Sequence, residues 1–387
     1  MPEQMTIITL TLIFIFFLIY PFIIYPLVLS IIAKIFNKPV SGSADVQPNL
    51  NVVISAYNEE KLIVDAVRSV FRSGYPYDKI ALFVGSDGSS DKTVEILNNL
   101  RIEFPNLQVF DFPRSGKNYV LNKLVQNCES DIIVYLDADC RIVPHSLDKM
   151  AFIFADKTVG AVIAAIEQLN EFQNDNVGRT GEMLYQKFEK LMRISESKIH
   201  STVNSLGAMY AIRKENYNPL PSDFVCDDYM PILDTCLNRQ RVIFDETIIV
   251  NEVREKSLSD ELSRRVRVGA GGMEAVFHSK RLLSPSYGWT SFFLWSHKVL
   301  RWMSPFFLIG ILIFTFLLEN GSVLKNFLLI AQSIFYISAF FGWIFEKFNK
   351  SFILFRISLF FLMMIIGFLL AFIRFIGKKQ SSKWERH

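Results

Sequence analysis

Apolar and charged positions divide the chain into three. Met5 to Ala33 carries no charged residue, and three further uncharged runs, Trp302 to Leu318, Phe327 to Phe345 and Ile357 to Ile373, dominate the C-terminal part. With flanking residues each approaches or exceeds the roughly 20 residues that carry a helix across about 30 Å of hydrocarbon. The pattern predicts a transmembrane helix over 5–36 and a membrane region with three transmembrane helices over 301–376. The first run has no basic residues ahead of it, is long for a signal peptide and lacks a clean small-residue cleavage site, so it reads as a retained anchor.

Between these ends, residues 40–283 show globular patterning. Short apolar runs closed by polar or turn residues predict strands at "NLNVVISAYN", "KIALFVGSDG", "LQVFDFP", "DIIVYLDADC" and "VGAVIAAIEQL". Helical periodicity lies between them, over Glu59–Phe71, Asp91–Arg101 and Asn118–Asn127. Alternating strand and helix predicts an α/β domain with a mostly parallel sheet. Its ligand crevice belongs at the carboxyl ends of the strands, where the polar clusters "SAYNEE", "GSDGSSD" and "LDADC" fall. Longer helices are expected at Gly181–Ile199, Asp227–Arg239 and Leu258–Leu283, the last opened by a Ser257-x-x-Asp260 capping arrangement. The tryptophans, phenylalanines and cations of 284–300 suit an amphipathic helix lying in the headgroup region, and 377–387 is a basic tail.

Composition sharpens this picture. The chain has 387 residues, 51% of them hydrophobic, and a mean hydropathy of +0.27, too apolar for a purely soluble protein. A net charge of +3 with no basic tract interleaved with aromatics argues against a nucleic-acid partner. The four cysteines form no C-x-x-C pair and have no histidine at zinc spacing, which fits a reducing compartment.

The candidate chemistry is acidic. Asp137 and Asp139 stand i, i+2 at the end of an expected strand, where both carboxylates face one way. Such a pair suits Mg2+ or Mn2+, which take oxygen donors from one or two carboxylates and complete their shell with diphosphate and water; an isolated D-x-D is more often a solvated turn, and the crevice position and its companions reverse that. Asp87 after the second strand can accept hydrogen bonds from a base or ribose, or cap a loop. Tyr57 and Glu59 offer an aromatic face and an acceptor, or a helix start. Lys117 can neutralise a phosphate, although Asp111 and Asn118 exclude a nucleotide P-loop. Asp227 and Asp228 either cap a helix or supply a general base. Arg264, Arg265 and Arg267 meet lipid headgroups or hold a leaving diphosphate.

In order, "SAYNEE", "SDGSSD", "GKNYVLN", "LDADC", "CDDYM" and "RRVRV" resemble the motifs of glycosyltransferase family two, inverting enzymes with the GT-A fold. The match covers about residues 50–275, and the flanking spans resemble membrane members such as chitin, hyaluronan and poly-N-acetylglucosamine synthases. The resemblance implies that Tyr57, Glu59, Asp87, Lys117 and Asp137 line the nucleotide pocket. It makes Asp137 and Asp139 the D-x-D that meets diphosphate and divalent metal, and Asp228 the base. Asp227, Arg264, Arg265 and Arg267 would then serve acceptor and diphosphate. Arg264 and Val268 depart from the family's Q-x-x-R-W, and the missing tryptophan puts processive synthesis in doubt.

The expected activity is transfer of a sugar from a nucleotide sugar, a UDP-sugar foremost, to a lipid-linked or saccharide acceptor by one metal-assisted displacement. Four spans are few for a polymer channel, which favours a lipid-linked or short acceptor over a processive polysaccharide synthase. A dehalogenase-like phosphatase is disfavoured because Arg141 stands where Thr or Val belongs. A non-enzymatic nucleotide-sugar-binding adaptor is disfavoured because all the carboxylates are intact. Membrane lipids are expected partners and the inner membrane the location, with the catalytic domain cytoplasmic. Three C-terminal spans then put the basic tail outside, against the positive-inside bias; donor sugar, acceptor and oligomeric state are not legible.

Overall fold

The computed structural model describes residues 2–168, 179–253, 258–348 and 352–377. Its centre is an eight-stranded sheet in the order β3-β2-β1-β4-β7-β6-β8-β5. β1 (Leu50–Ala56), β2 (Ile80–Asp87), β3 (Leu107–Phe112) and β4 (Ile132–Leu136) are mutually parallel. β1 and β4 are apolar with little alternation because helices cover both faces. β7 (Met209–Arg213) runs antiparallel to β4 and to β6 (Val159–Gln168). β8 (Arg241–Glu252) then pairs parallel to β6, and β5 (Cys140–Ile142) antiparallel to β8. The expected mixed α/β, mostly parallel sheet is present.

The differences have local causes. β5, β7 and β8 were not anticipated. β8 is interrupted at Asp245–Thr247, where Thr247 N–H and Oγ1 both donate to Asp245 Oδ1 at 2.8 Å and the register with β6 jumps from Asp245 to Ile249. Asp137 and Asp139 do not lie on a strand: β4 ends at Leu136 and the pair occupies a turn into β5, closed by Cys140 N–H donating to Asp137 O at 3.1 Å. Strand alternation is therefore not what brings them together. The three helices of the parallel half run over Ile63–Phe71, Thr93–Glu103 and Lys117–Gln126. Tyr229–Leu237 is shorter than expected, and Leu258–His278 is followed by a separate 3-10 turn at Lys280–Leu283. Ser257 lies outside the described residues.

Pro2–Ile35 forms one helical run of 34 residues, about 51 Å at 1.5 Å per residue, longer than the hydrocarbon core. Its lower part belongs to the protein interior: Tyr25, Leu29 and Ala33, spaced i, i+4, i+8, are buried in the main core. A π-helical segment, Tyr20–Ile24, lies between the two α-helical parts beside Pro21 and Pro26. Val323–Phe345 and Ile353–Ile376 are also long and apolar enough to cross a membrane. The run expected over Trp302–Leu318 forms Ser304–Leu317, 14 residues or about 21 Å, bent by 56° from Trp289–Trp302. The described residues thus hold three helices capable of crossing, or four if the bent pair is one broken span.

Candidate active site at the carboxyl ends of the parallel strands

The crevice lies where chain order reverses, between β1 and β4, the position at which open α/β sheets bind ligands. Its floor is stitched from the loops after β1 and β2. Asn58 adopts φ 54, a left-handed conformation asparagine tolerates. From there its N–H donates to Ser89 Oγ at 3.1 Å while its Oδ1 accepts from Ser90 N–H at 2.8 Å. Glu60 N–H donates to Asp91 Oδ2, Lys92 N–H returns to Glu60 Oε2, both at 3.1 Å, and Glu59 N–H donates to Thr93 Oγ1 at 2.8 Å.

Asp87, 2% exposed, organises the third wall. Its carboxylate accepts from Ser115 N–H at 2.7 Å and Gly116 N–H at 2.9 Å and pairs with Arg114. Gly116 takes φ 97 as it enters the Lys117 helix, a conformation open to glycine. The Arg114 guanidinium then lies 3.4 Å from the centroid of the Tyr57 ring, an arrangement favoured by the ring's electron density. Ser55, Tyr57, Glu59, Asp87, Arg114, Lys117, Asp137, Ala138 and Asp139 line one cleft. All six residues anticipated around nucleotide and metal are therefore gathered in one place.

Lys117 ties this cleft to the second acidic group. Its Nζ stands 2.7 Å from Asp137 Oδ1 and 2.8 Å from Asp227 Oδ2. Burial works against the ammonium, but Asp137 and Asp227 outweigh it and hold the Lys117 pKa well above the ordinary lysine range. Burial pushes the Asp137 carboxyl up to about 7, with Lys117 opposing and Asp139 and Asp227 reinforcing, although 30% of its side chain still faces the cleft.

Asp228 occupies the N-cap position of helix Tyr229–Leu237 yet makes no capping hydrogen bond. A Cβ on Gly207 would lie 3.5 Å from its Oδ2. Burial and then Asp227 raise the Asp228 pKa to about 6, the range suited to a base near neutrality.

The three arginines separate because helical positions 264 and 267 share a face and 265 does not. Arg267 feels Cys226 and Asp227. The Arg265 guanidinium lies 5.5 Å from the centroid of the Tyr185 ring and 5.0 Å from that of Phe360.

Several residues were missed from sequence. Arg114 stands three residues before Lys117 without being singled out. Asn118 Nδ2 donates to Pro221 O and Phe224 O, and Asn122 Oδ1 accepts from Tyr217 Oη and Leu220 N–H; together they pin the approach to Asp227 against the Lys117 helix. A buried network lies behind Asp228. His297 is fully buried, with Nδ1 2.6 Å from Glu196 Oε1 and Nε2 3.1 Å from Glu189 Oε2. The two carboxylates also accept from Thr202 Oγ1, Val203 N–H, Asn204 Nδ2 and Arg301, fixing the 202–204 segment that leads to Gly207. Burial opposes their charge, but Arg301 and His297 hold Glu189 well below the usual carboxylate range, and His297 lowers Glu196 likewise.

A mixed sheet with this order and an acidic crevice at its carboxyl ends defines the GT-A class. Residues 51–214 match the profile of Glycosyl transferase family 2, and this segment is a family 2 glycosyltransferase domain. The whole molecule superposes with a TM-score of 0.72 on a mannosyltransferase from Pyrobaculum calidifontis in complex with GDP-Man and Mn2+. That likeness covers 96% of this chain and 100% of the other at 20% identity, a likeness of fold. Among curated relatives, a beta-monoglucosyldiacylglycerol synthase of Synechocystis sp. is 29% identical over 151 residues, 38% of this chain and 32% of its own length. A bactoprenol glucosyl transferase of Shigella phage SfV is 26% identical over 180 residues, 44% of this chain and 55% of its own length. The chain spans less than two thirds of the length of the relatives it first matches.

Proposed function

We propose that the protein is a membrane-embedded inverting glycosyltransferase that moves a sugar from a nucleotide sugar to a lipid-linked acceptor. The observation that carries the reading is the Lys117 bridge, which joins Asp137 in the donor cleft to Asp227 beside Asp228. A donor diphosphate and an acceptor hydroxyl can meet across it. Relatives named for diacylglycerol and bactoprenol glucosylation favour a lipid acceptor over a soluble one.

Tyr57 and Asp87 offer the stacking face and acceptor of a nucleoside pocket. Among the described residues no cluster of three His, Cys, Asp or Glu could hold a metal ion. Asp137 and Asp139 nevertheless fit Mg2+ or Mn2+, which use one or two carboxylates and complete the shell with substrate phosphate. When bound, such an ion supplies positive charge against the departing diphosphate. Lys117 and Arg267 add to that charge from the protein. Asp228 takes the proton of the acceptor hydroxyl as it attacks the anomeric carbon on the face opposite the leaving group, which inverts configuration. The long helices favour a membrane location, and we assign the plasma (inner) membrane with a cytoplasmic catalytic domain.

The test is nucleoside diphosphate release by purified protein offered UDP- and GDP-sugars with lipid acceptors, with and without Mn2+. Release that depends on both lipid and metal supports the reading. Folded protein that releases nothing from any donor overturns it.

A further inference from the structure

Gly207 stands where the donor cleft meets the proposed base. Lys117 joins Asp137 to Asp227 on one side. On the other, Asp137 N–H donates to Ala208 O at 3.0 Å, and the residue before Ala208 is this glycine. Asp228 faces it: a Cβ on Gly207 would have Asp228 Oδ2 at 3.5 Å, Cγ at 3.6 Å and Cβ at 3.9 Å as its three nearest atoms. Gly207 and Asp228 are both half-buried rather than sealed.

Folding does not ask for a glycine at this place. At Gly85 and Gly160 a Cβ would run into Val120 and Gln240, and Gly116 takes a positive φ. Gly207 has neither reason. Its φ is not positive, and 3.5 Å is ordinary van der Waals contact. Alanine fits the backbone and the packing there, and it would lose less conformational freedom on folding. What the missing side chain leaves open is the Oδ2 side of the Asp228 carboxylate.

The wall that carries Gly207 is fixed at both ends. Thr202 Oγ1 and Val203 N–H donate to Glu196 Oε2 at 2.8 and 3.2 Å. Asn204 Nδ2 donates to Glu189 Oε2 at 2.7 Å, and Asn204 Oδ1 accepts from Lys298 Nζ at 2.6 Å. Beyond the glycine the chain enters the sheet, where Met209 pairs with Leu136. The helix that follows Asp228 is tied to the same wall, because Tyr229 Oη donates to Val203 O at 2.9 Å. Base and wall are thus held in one register, and a side chain added at 207 has little room to be relieved by movement of either.

We propose that Gly207 is a specificity-determining residue, keeping the Oδ2 side of Asp228 clear for the acceptor oxygen and for the atom that bears it. An oxygen giving up its proton must come within about 2.6–3.2 Å of the base, closer than a methyl group standing at 3.5 Å from Oδ2 permits on that side. Water carries no such substituent and needs less of the space. In that competing reaction the water oxygen attacks the anomeric carbon, the bond to the diphosphate breaks and Asp228 takes the proton, leaving free sugar and nucleoside diphosphate. Position 207 therefore sets the balance between transfer to lipid and loss of the sugar to water. The inference rests on the proposed transfer with Asp228 as base.

The experiment compares full-length wild type, Gly207→Ala and Gly207→Val in detergent micelles. The donor is the UDP- or GDP-sugar that the wild type uses, and the acceptors are diacylglycerol and a long-chain polyprenyl phosphate. Transfer to lipid should fall about tenfold or more in Gly207→Ala, and further in Gly207→Val, as expected when reacting atoms are kept about 1 Å from their working geometry. Donor hydrolysis should fall less, while the nucleoside diphosphate affinity and thermal midpoint of Gly207→Ala match those of the wild type. Gly207→Ala that transfers as the wild type does overturns the inference and leaves the transferase standing. So does an equal loss of transfer and hydrolysis, or a loss of nucleotide affinity, either of which gives residue 207 a backbone role. Wild type that transfers to neither acceptor from any donor removes the transferase, and this role with it.

Discussion

The hydroxyl of Tyr25, in the N-terminal helix, donates to Glu196 Oε1 at 2.8 Å. Glu196 is fully buried and shares that oxygen with His297, so the N-terminal helix closes a charged network inside the sheet domain. Tyr25→Phe should lower stability by about 1–3 kcal/mol, the cost of removing a buried hydrogen bond to a charged group. Glu196→Ala should cost about 3–5 kcal/mol, because it strands buried cationic partners. Thermal unfolding of detergent-solubilised protein reads both; equal midpoints for wild type and Glu196→Ala would show that the network carries no stability.

Lys117→Met leaves Asp137 and Asp227 facing each other without their shared ammonium. Nucleoside diphosphate affinity should fall about tenfold or more, as for loss of a charge-assisted contact to phosphate. Titration calorimetry checks it, and unchanged affinity would remove Lys117 from the donor site.

Asp228 carries a carboxyl raised to about 6. As the base it must be ionised, so turnover should fall as pH drops through about 6, and Asp228→Asn should lose at least 100-fold, about 2.7 kcal/mol or more. The linkage to stability has the opposite sense. A folded-state value above the unfolded one favours folding while protonated, and that advantage is lost as pH rises from about 4 to about 6. At pH 7–8 the ionised carboxylate is a burden that asparagine relieves, so Asp228→Asn should be inactive yet equally or more stable. An active variant, or an inactive one that has lost its fold, contradicts the assignment.

Chelation should abolish transfer, and Mn2+ or Mg2+ should restore it, since Asp137 and Asp139 provide hard oxygen donors. Asp139→Ala should not be rescued by added metal at any concentration that saturates the wild type. Activity in excess chelator would dismiss the metal role.

Arg265 and Arg267 should behave differently although they are two residues apart. Arg267→Met, beside Asp227, should reduce kcat/KM about 100-fold, as loss of one transition-state charge contact does. Arg265→Met removes stacking on Tyr185 and Phe360 and should cost stability by about 0.5–2 kcal/mol with kcat/KM nearly intact. Equal kinetic losses would mean the two share the site.

The parallel half of the sheet was legible because β1, β2 and β4 are apolar runs that stop at polar clusters, and those clusters are the crevice. Their chemistry was legible for the same reason: Tyr57, Asp87, Lys117, Asp137 and Asp139 are short-range neighbours of strand ends. What stayed hidden depends on distant pairing. β7 is five residues long and β8 is split by the Asp245 turn, so neither shows a clean period. The D-x-D turn was read as strand because a turn lacking Gly or Pro gives no punctuation. Glu189, Glu196 and His297 carry no local signal, because their partners lie about 100 residues apart in the chain and meet only when the elements close around them. The separation of Arg265 from Arg267 could have been found, since 100° per residue already divides them.

The sequence separation of 171 between Tyr25 and Glu196 also sets an order of events during synthesis. The first helix leaves the ribosome with Tyr25, Leu29 and Ala33 lacking the surface that later covers them, and that surface is complete only after His297 has been made. Closure of a loop this long is slow compared with local helix formation. The first helix must therefore wait uncovered while the domain that buries its lower part is still being made. A fragment begun after residue 35 would complete its sheet yet keep an open seam where the missing helix belongs.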